Sequence, residues 1–252
     1  MLALVGIGLD AKDISVKALE FLKNAQVIYA DTYTSITSSE SLKYIREDTG
    51  KEIIPISRSH MEERLGDTIK DASRFDIAIL VIGDPLVATT HHIILEEAAR
   101  RGIESRVFHS SSIFSAGIGE SGLDIYKFGP TTTVPFWSEH YKPTSFIDVI
   151  AKNLSNGEHT LVLFDLNQPT GTAPMSIEQA THIINMADRG GVLGPEKKVL
   201  ILADIGRASQ SIKYIEFSRV PGLAGDLSGR ILSMIVPSQM SFAEEESVKR
   251  FS

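Results

Sequence analysis

Apolar residues gather in short runs separated by amphipathic stretches along most of the chain. The run Ile77 to Ile82 is continuous and rich in β-branched residues, which predicts a strand buried on both faces of a parallel sheet. It stops at Gly83-Asp84-Pro85. Thr89 and Thr90 then offer helix caps, and Ile93, Ile94 and Ala98 recur at helical spacing with Glu96 and Glu97 outside. Leu2 to Val5, Val27 to Ala30, Glu52 to Ile56 and Ile103 to Phe108 read as further strands. Between them the pattern predicts a helix capped by Asp13, with Val16, Leu19 and Leu22 at helical spacing. A second helix is expected over Ser38 to Gly50, with Ser39 as cap and Leu42 and Ile45 inward. A third runs over Ser59 to Ser73, with Met61, Leu65, Ile69 and Ala72 on one face.

The pattern breaks at Phe128-Gly129-Pro130, which predicts two domains, 1–130 and 131–252. Beyond it, helices are expected from Thr144 or Ser145 to Leu154, from Ser176 to Arg189 and from Phe242 to Phe251. Strands are expected at His159 to Phe164, Val199 to Ala203, Ile212 to Phe217 and Arg230 to Val236. Alternating strands and helices in both halves predict two α/β domains with mixed sheets.

Composition narrows the chemistry. With no cysteine, thiolate metal sites, disulfides and a cysteine nucleophile are excluded. No apolar run reaches membrane-spanning length, and the N-terminus enters a strand without a signal-like segment, so a cytoplasmic location without membrane contact is the expectation. Lys and Arg total 25 against 32 Asp and Glu, a net charge of −7, which argues against a broad phosphate-binding face and so against direct nucleic-acid binding.

Ligands of open α/β sheets bind beyond the carboxyl ends of strands. Three such corners carry suggestive residues. Gly83-Asp84-Pro85 couples a sharp turn to a carboxylate, although those residue types also build ordinary turns. His109-Ser110-Ser111-Ser112 leads into Ile113 and a helical stretch; it suits a close approach to a ligand, or plain helix capping. Gly6-Ile7-Gly8-Leu9-Asp10-Ala11 matches the dinucleotide pattern, and Asp31 stands where an acidic residue would grip a ribose. Against that reading, the helical pattern begins well after Gly8, and Asp10 and Asp13 would repel a pyrophosphate. A NAD-binding oxidoreductase thus remains an alternative, as does a non-catalytic ligand-binding module. Adjacent His91 and His92 cannot share a helix face, so no metal site is expected. His60 and Glu63 read as solvated surface. Phe136, Trp137 and Tyr141 read as packing, with a cation-holding cage as the minor alternative.

The blocks VGIGLDAKDISVKALE, VIYADTYTS, GDPLVATTH, SSIFSAGIGESGLDIYKFG and HTLVLFDL, with a last strand ending IVP, together resemble the diphthine synthases, a branch of the tetrapyrrole-methylase fold family. GDP after a strand is common to the whole family. VATTH and the IYKFG block point to the branch. The resemblance spans essentially the full length. It implies a homodimer of two-domain chains with S-adenosyl-L-methionine in the cleft between domains. The implied reaction methylates the amino group of a 3-amino-3-carboxypropyl histidine on translation elongation factor 2, in diphthamide biosynthesis. Tetrapyrrole and ribosomal-RNA acceptors are the alternatives within the fold. Matched motif by motif, it implies cofactor contacts at Leu9, Asp84, Val87, Ser112, Ile113, Phe164, Ile205 and Leu232. The blocks holding Ile205 (ADIGRAS) and Leu232 (RILSMIVP) depart most from the family pattern. These positions are mostly apolar and lie at strand ends, which suits a cofactor without phosphate. Methyl transfer to nitrogen needs position and dryness more than a nucleophile. Asp84, Asp165 and Glu120 are candidate bases, with water as an alternative, and no catalytic residue is assigned. Asp84, placed in a turn, is expected to serve the cofactor without carrying the fold.

Overall fold

The computed structural model of the chain describes residues 1–31, 39–56, 65–166 and 173–252. Met61, His60 and Glu63, and with them the first half of the helix expected from Ser59, lie outside the described residues. The chain forms two compact units, Met1–Ile113 and Phe114–Ser252. That division falls ahead of the expected break at Gly129-Pro130. The intervening residues belong to the second unit because their polar groups bind there: the Asp124 N–H and Lys127 Nζ both donate to Glu244, and Arg250 donates to the Glu120 carbonyl.

The first unit holds strands β1 (Leu2–Gly6), β2 (Val27–Asp31), β3 (Ile54–Ile56), β4 (Ile77–Val81) and β5 (Ser105–Phe108). All pair in parallel, in the order β3-β2-β4-β1-β5. The two central strands, β1 and β4, are buried at every residue, as a continuous apolar run in a parallel sheet requires. Side-chain alternation divides them between two cores. Ala3, Val5, Ala78 and Leu80 face Ala18 and Leu22 of α1 (Val16–Asn24) and Ile45 of α2 (Ser39–Thr49). Leu2, Leu4, Ile77 and Ile79 face Ile69 of α3 (Leu65–Asp71) and Ile94 and Ala98 of α4 (His92–Arg100). Each of those Leu and Ile side chains contributes about 1.5–3 kcal/mol by leaving water. The helices that follow β1 and β4 therefore lie on opposite faces of the sheet while the strands themselves are neighbours. That is the topological switch point of an open α/β sheet, beside whose strand ends a crevice forms.

The second unit begins with α5 (Ile113–Glu120), whose first residue closes the first unit, and continues through a 3₁₀ turn (Ile125–Lys127) into β6 (Thr132–Val134). There follow α6 (Ser145–Ser155), β7 (Thr160–Phe164), α7 (Ile177–Ala187), β8 (Lys198–Ala203) and β9 (Ser211–Glu216). A 3₁₀ segment (Phe217–Leu223), α8 (Ala224–Leu227), β10 (Leu232–Val236), α9 (Phe242–Val248) and a last 3₁₀ turn (Lys249–Phe251) complete it. The sheet order is β6-β7-β10-β8-β9, with β6 and β7 parallel and the other pairs antiparallel. Mixed character thus belongs to this sheet alone. Phe146 and Ile150 of α6 and Ile177, Ala180 and Ile184 of α7 pack with Val162, Ile201 and Met234 in its core. Among the described residues no helix is long and apolar enough to cross a membrane.

Candidate functional site

Three carboxyl ends meet at the switch point. Past β1 the chain makes a left-handed turn at Gly8 (φ +75°), and past β4 another at Gly83 (φ +70°). The two turns bond to each other: the Gly8 N–H donates to the Gly83 carbonyl at 3.3 Å and the Gly83 N–H to the Gly8 carbonyl at 2.9 Å. A β-carbon at Gly6 would lie 2.7 Å from the Gly83 carbonyl oxygen and 3.1 Å from that of Phe108, so glycine is required where three strands converge. A β-carbon at Gly8 would meet Asp13 at 2.1 Å. The glycines that match the dinucleotide pattern are thus accounted for by protein against protein.

Helix α1 begins at Val16 and is capped by Ser15, whose side chain accepts from the Ala18 N–H. The expected cap, Asp13, has another task. Its Oδ2 accepts from the Leu9 N–H at 3.1 Å, the Asp10 N–H at 3.1 Å and the Ser111 hydroxyl at 3.0 Å. Ser110 donates to the Asp13 carbonyl at 3.0 Å. One carboxylate therefore clamps the loop after β1 onto the corner after β5. The first helix offers no N-terminus to a pyrophosphate beside Gly8, and two carboxylates stand in the intervening loop, so this geometry disfavours a dinucleotide.

Asp84 is 7% exposed. Its Oδ1 accepts from the Leu86 N–H at 3.0 Å, and its Oδ2 from the Ser110 N–H at 3.3 Å and from His109 Nδ1 at 2.8 Å. Three donors use three of about four lone-pair sites on a carboxylate, which leaves room for one more. The expectation that Asp84 carries no part of the fold is corrected here: it ties the turn after β4 to the corner after β5. The turn continues through half-buried Val87 to Ala88, a non-glycine residue held at φ +55°. Thr89 does not cap α4. Its hydroxyl donates to the Pro85 carbonyl at 2.9 Å and accepts from the His91 N–H at 3.0 Å. His91, at the helix N-terminus, is buried, with Nδ1 2.8 Å from Thr89 Oγ1 and Nε2 3.0 Å from Asp31 Oδ2. The second contact has an ion-pair distance without hydrogen-bond alignment. Asp31 therefore lies beside a histidine at the carboxyl end of β2.

The first unit thus assembles five sequence-expected positions beyond the carboxyl ends of β1, β4 and β5: half-buried Leu9 and Val87, buried Asp84, then buried Ser112 and half-buried Ile113 at the start of α5. The second unit gathers the other three at one end of its own sheet. Phe164 closes β7 and Leu232 opens β10, one step beyond the paired Leu163 and Ser233, and Leu232 pairs with Ala203 at the end of β8. Ile205 follows two residues later. All three are nearly buried, at 5%, 3% and 7% exposure.

The intervening Asp204 holds that corner together. It stands at φ +51° and accepts from Arg230 Nε at 2.8 Å, the Ser209 hydroxyl at 2.9 Å and the Ile231 N–H at 3.1 Å. Burial alone would raise its pKa, but Arg230, Ile231 and Ser209 together hold it below the usual carboxylate range. From the sequence, Asp13 is expected only as a helix cap and a repellent of pyrophosphate, His109 only as part of the corner after β5, and Asp204 and Arg230 have no site role. An aspartate directly after a strand was the available signal, and it does not name its partners.

The candidate bases fare unequally. Asp84 has its oxygens largely engaged. Glu120 is exposed at the last residue of α5. Asp165, just past β7, lies 3.4 Å from the Phe136 N–H. Phe136 and Trp137 pack on the second core, with the Trp137 indole N–H donating to the Pro143 carbonyl at 3.1 Å, while Tyr141 is 61% exposed. Among the described residues no group of three or more potential ligands surrounds a metal position.

Comparison with known proteins fits this geometry. Residues 1–216 match the family model of the Tetrapyrrole (Corrin/Porphyrin) Methylases. A diphthine synthase from Methanothermobacter thermautotrophicus is 35% identical over 249 residues, covering 98% of this chain and 93% of that one. The human diphthine methyl ester synthase is 41% identical over 167 residues, 66% of this chain and 58% of its own length. A crystal structure of diphthine synthase superposes with a TM-score of 0.88 at 32% identity, covering 100% of this chain and 95% of that one. Switch-point site, two-sheet fold and full-length similarity agree: the chain belongs to the tetrapyrrole (corrin/porphyrin) methylases, in the branch of the diphthine synthases, and is a methyltransferase.

Proposed function

We propose that the chain transfers methyl groups from S-adenosyl-L-methionine to the 3-amino-3-carboxypropyl histidine of translation elongation factor 2, in the cytoplasm and as a homodimer. The observation that carries the cofactor reading is the switch-point corner. It presents glycine backbone, the apolar Leu9 and Val87, and a buried carboxylate with capacity for one more donor, and the helix after β1 starts at Val16, away from Gly8. Those features fit an uncharged nucleoside and a cationic sulfonium better than a pyrophosphate. When bound, the cofactor supplies the electrophilic methyl. In this reading Leu9, Asp84, Val87, Ser112 and Ile113 of the first unit hold it. The chain supplies position and exclusion of water.

The test supplies elongation factor bearing the aminocarboxypropyl histidine and measures S-adenosylhomocysteine release together with methyl mass increments on that residue. Release that depends on the modified histidine is the expected result. Release with a tetrapyrrole or an RNA, and none with the elongation factor, would replace this substrate. A second reading has its own support, since the name of the human relative denotes a methyl ester. Mild alkali removes an ester methyl and leaves an amine methyl, so the same product separates the two. Amine methylation is the expected outcome, because the relatives that match over nearly the whole chain carry the name without the ester. Sedimentation of the purified chain tests the dimer.

A further inference from the structure

We propose that His109 is the group that takes the proton from the acceptor amine. This rests on the substrate reading above.

His109 follows β5 directly and lies three positions before Ser112, on the corner that Asp84 and Asp13 tie to the other two strand ends. The Asp84 carboxylate already accepts two backbone N–H groups, so toward the ring it can only accept. At 2.8 Å, Nδ1 must therefore carry the hydrogen. In the neutral ring the free lone pair then sits on Nε2. The side chain is 64% exposed, and among the described residues Nε2 has no protein partner. A carboxylate that fixes the tautomer and an open opposite nitrogen are what a general base needs.

The other described histidines lack one or both features. His91 and His159 are buried, with both ring nitrogens against protein atoms. His92 and His182 have no carboxylate partner among the described residues, and His140 reaches Glu139 only at 4.0 Å. This assignment also changes the role of Asp84, from candidate base to the group that orients the base.

The step balances. A protonated amine gives one N–H proton to Nε2. Its freed lone pair attacks the sulfonium methyl carbon as the carbon–sulfur bond breaks, and that bond's electron pair leaves with sulfur as a neutral thioether. The imidazolium returns its proton to solvent from the exposed ring. Each further methylation removes one more N–H proton in the same way, until the nitrogen is quaternary and none is left.

The decisive variant is His109→Asn. Its amide N–H can still donate to Asp84 from the Nδ1 position, but it has nothing at the Nε2 position. Calorimetric affinity for S-adenosylhomocysteine should stay within about twofold of the unsubstituted chain. Single-turnover methyl transfer to the modified elongation factor should fall about 100-fold or more. His109→Ala should lose transfer as well and regain part of it with added imidazole. Near-normal transfer by His109→Asn overturns the proposal alone. So does a loss of S-adenosylhomocysteine affinity as large as the loss of transfer, which would make His109 a clamp on Asp84. Absence of turnover by the unsubstituted chain overturns the substrate reading and this inference together.

Discussion

At the scale of single residues, the site depends on groups that face two ways. Asp84 closes a turn, holds His109 by one ring nitrogen and has one lone-pair site left. Asp84→Ala should therefore act on both fold and function. Losing hydrogen bonds to a nearly buried carboxylate costs about 1.5–3 kcal/mol, so thermal unfolding should shift down while affinity for S-adenosylhomocysteine weakens about tenfold to a hundredfold. Asp84→Asn retains one carbonyl oxygen as acceptor and should recover part of the thermal loss but little of the affinity. Unchanged affinity in the folded fraction of either variant would move the ligand away from this turn. Gly6 gives a cleaner structural test. Gly6→Ala pushes a methyl group against two carbonyl oxygens of neighbouring strands, and overpacking of this kind costs about 1–3 kcal/mol. Chemical denaturation would show it, and wild-type stability would mean that the strand ends can spread.

At the scale of elements, apolar periodicity placed the central strands, the helices and the site corners, because burial on a fixed repeat is written directly in residue types. Ile77 to Ile82 announced a buried parallel strand and became the centre of one. The beginnings of helices were less legible. Asp13 and Thr89 are good caps by residue type, yet each is drawn to donors from another loop or an earlier carbonyl, partners that only the folded chain brings near. The glycines at the end of β1 and just past it left a dinucleotide open as an alternative for a related reason. A tight turn beside a phosphate and a close approach of two strand ends select the same residue. From Ser15 as the cap of α1, calorimetry should find S-adenosylhomocysteine bound and NAD unbound, and the reverse result would restore the dinucleotide reading. Five of the eight positions expected to touch cofactor converge because three neighbouring strands end together. The clamps behind them went unseen, since Asp13 with Ser111, or Asp204 with Arg230, are pairings between corners far apart in sequence.

In the second unit, one residue ties helix α9 to two other elements. Glu244 closes its capping box and accepts from the Asp124 N–H at 3.0 Å, Lys127 Nζ at 2.6 Å and His159 Nε2 at 2.9 Å. It thereby joins the last helix to the 3₁₀ turn before β6 and to the start of β7. His159 Nδ1 accepts from the Ser238 N–H at 2.9 Å, which fixes the ring as a neutral donor toward Glu244. Glu244→Ala strands a buried histidine donor and a partly buried lysine. The loss should reach about 3 kcal/mol, the low end for breaking a buried charged contact, because Lys127 keeps some access to water. A loss under about 1 kcal/mol by urea unfolding would mean that water replaces the carboxylate at no penalty.

For the whole molecule, these groups set how stability responds to acid. Burial pushes the His159 pKa down from its ordinary 6.5, with Glu244 only partly opposing it. Burial would raise the Glu244 pKa, but Lys127, the Ser241 and Asp124 N–H groups and His159 outweigh it and hold it well below the ordinary 4.5. Asp204 is likewise held below 3.8. All three bind protons less readily folded than unfolded. Each therefore contributes stability that is complete above its unfolded pKa and is lost as pH falls toward its folded one. Urea midpoints across a pH series should be level above about pH 7. They should decline gently once the unfolded histidine begins to protonate, and fall steeply below about pH 4.5 as the unfolded carboxylates do. His159→Gln, which retains an N–H donor toward Glu244 and cannot titrate, should remove the gentle decline and leave the steep one. A gentle decline that persists unchanged in that variant would assign the proton uptake to another histidine and refute the role of His159 as a buried neutral ring.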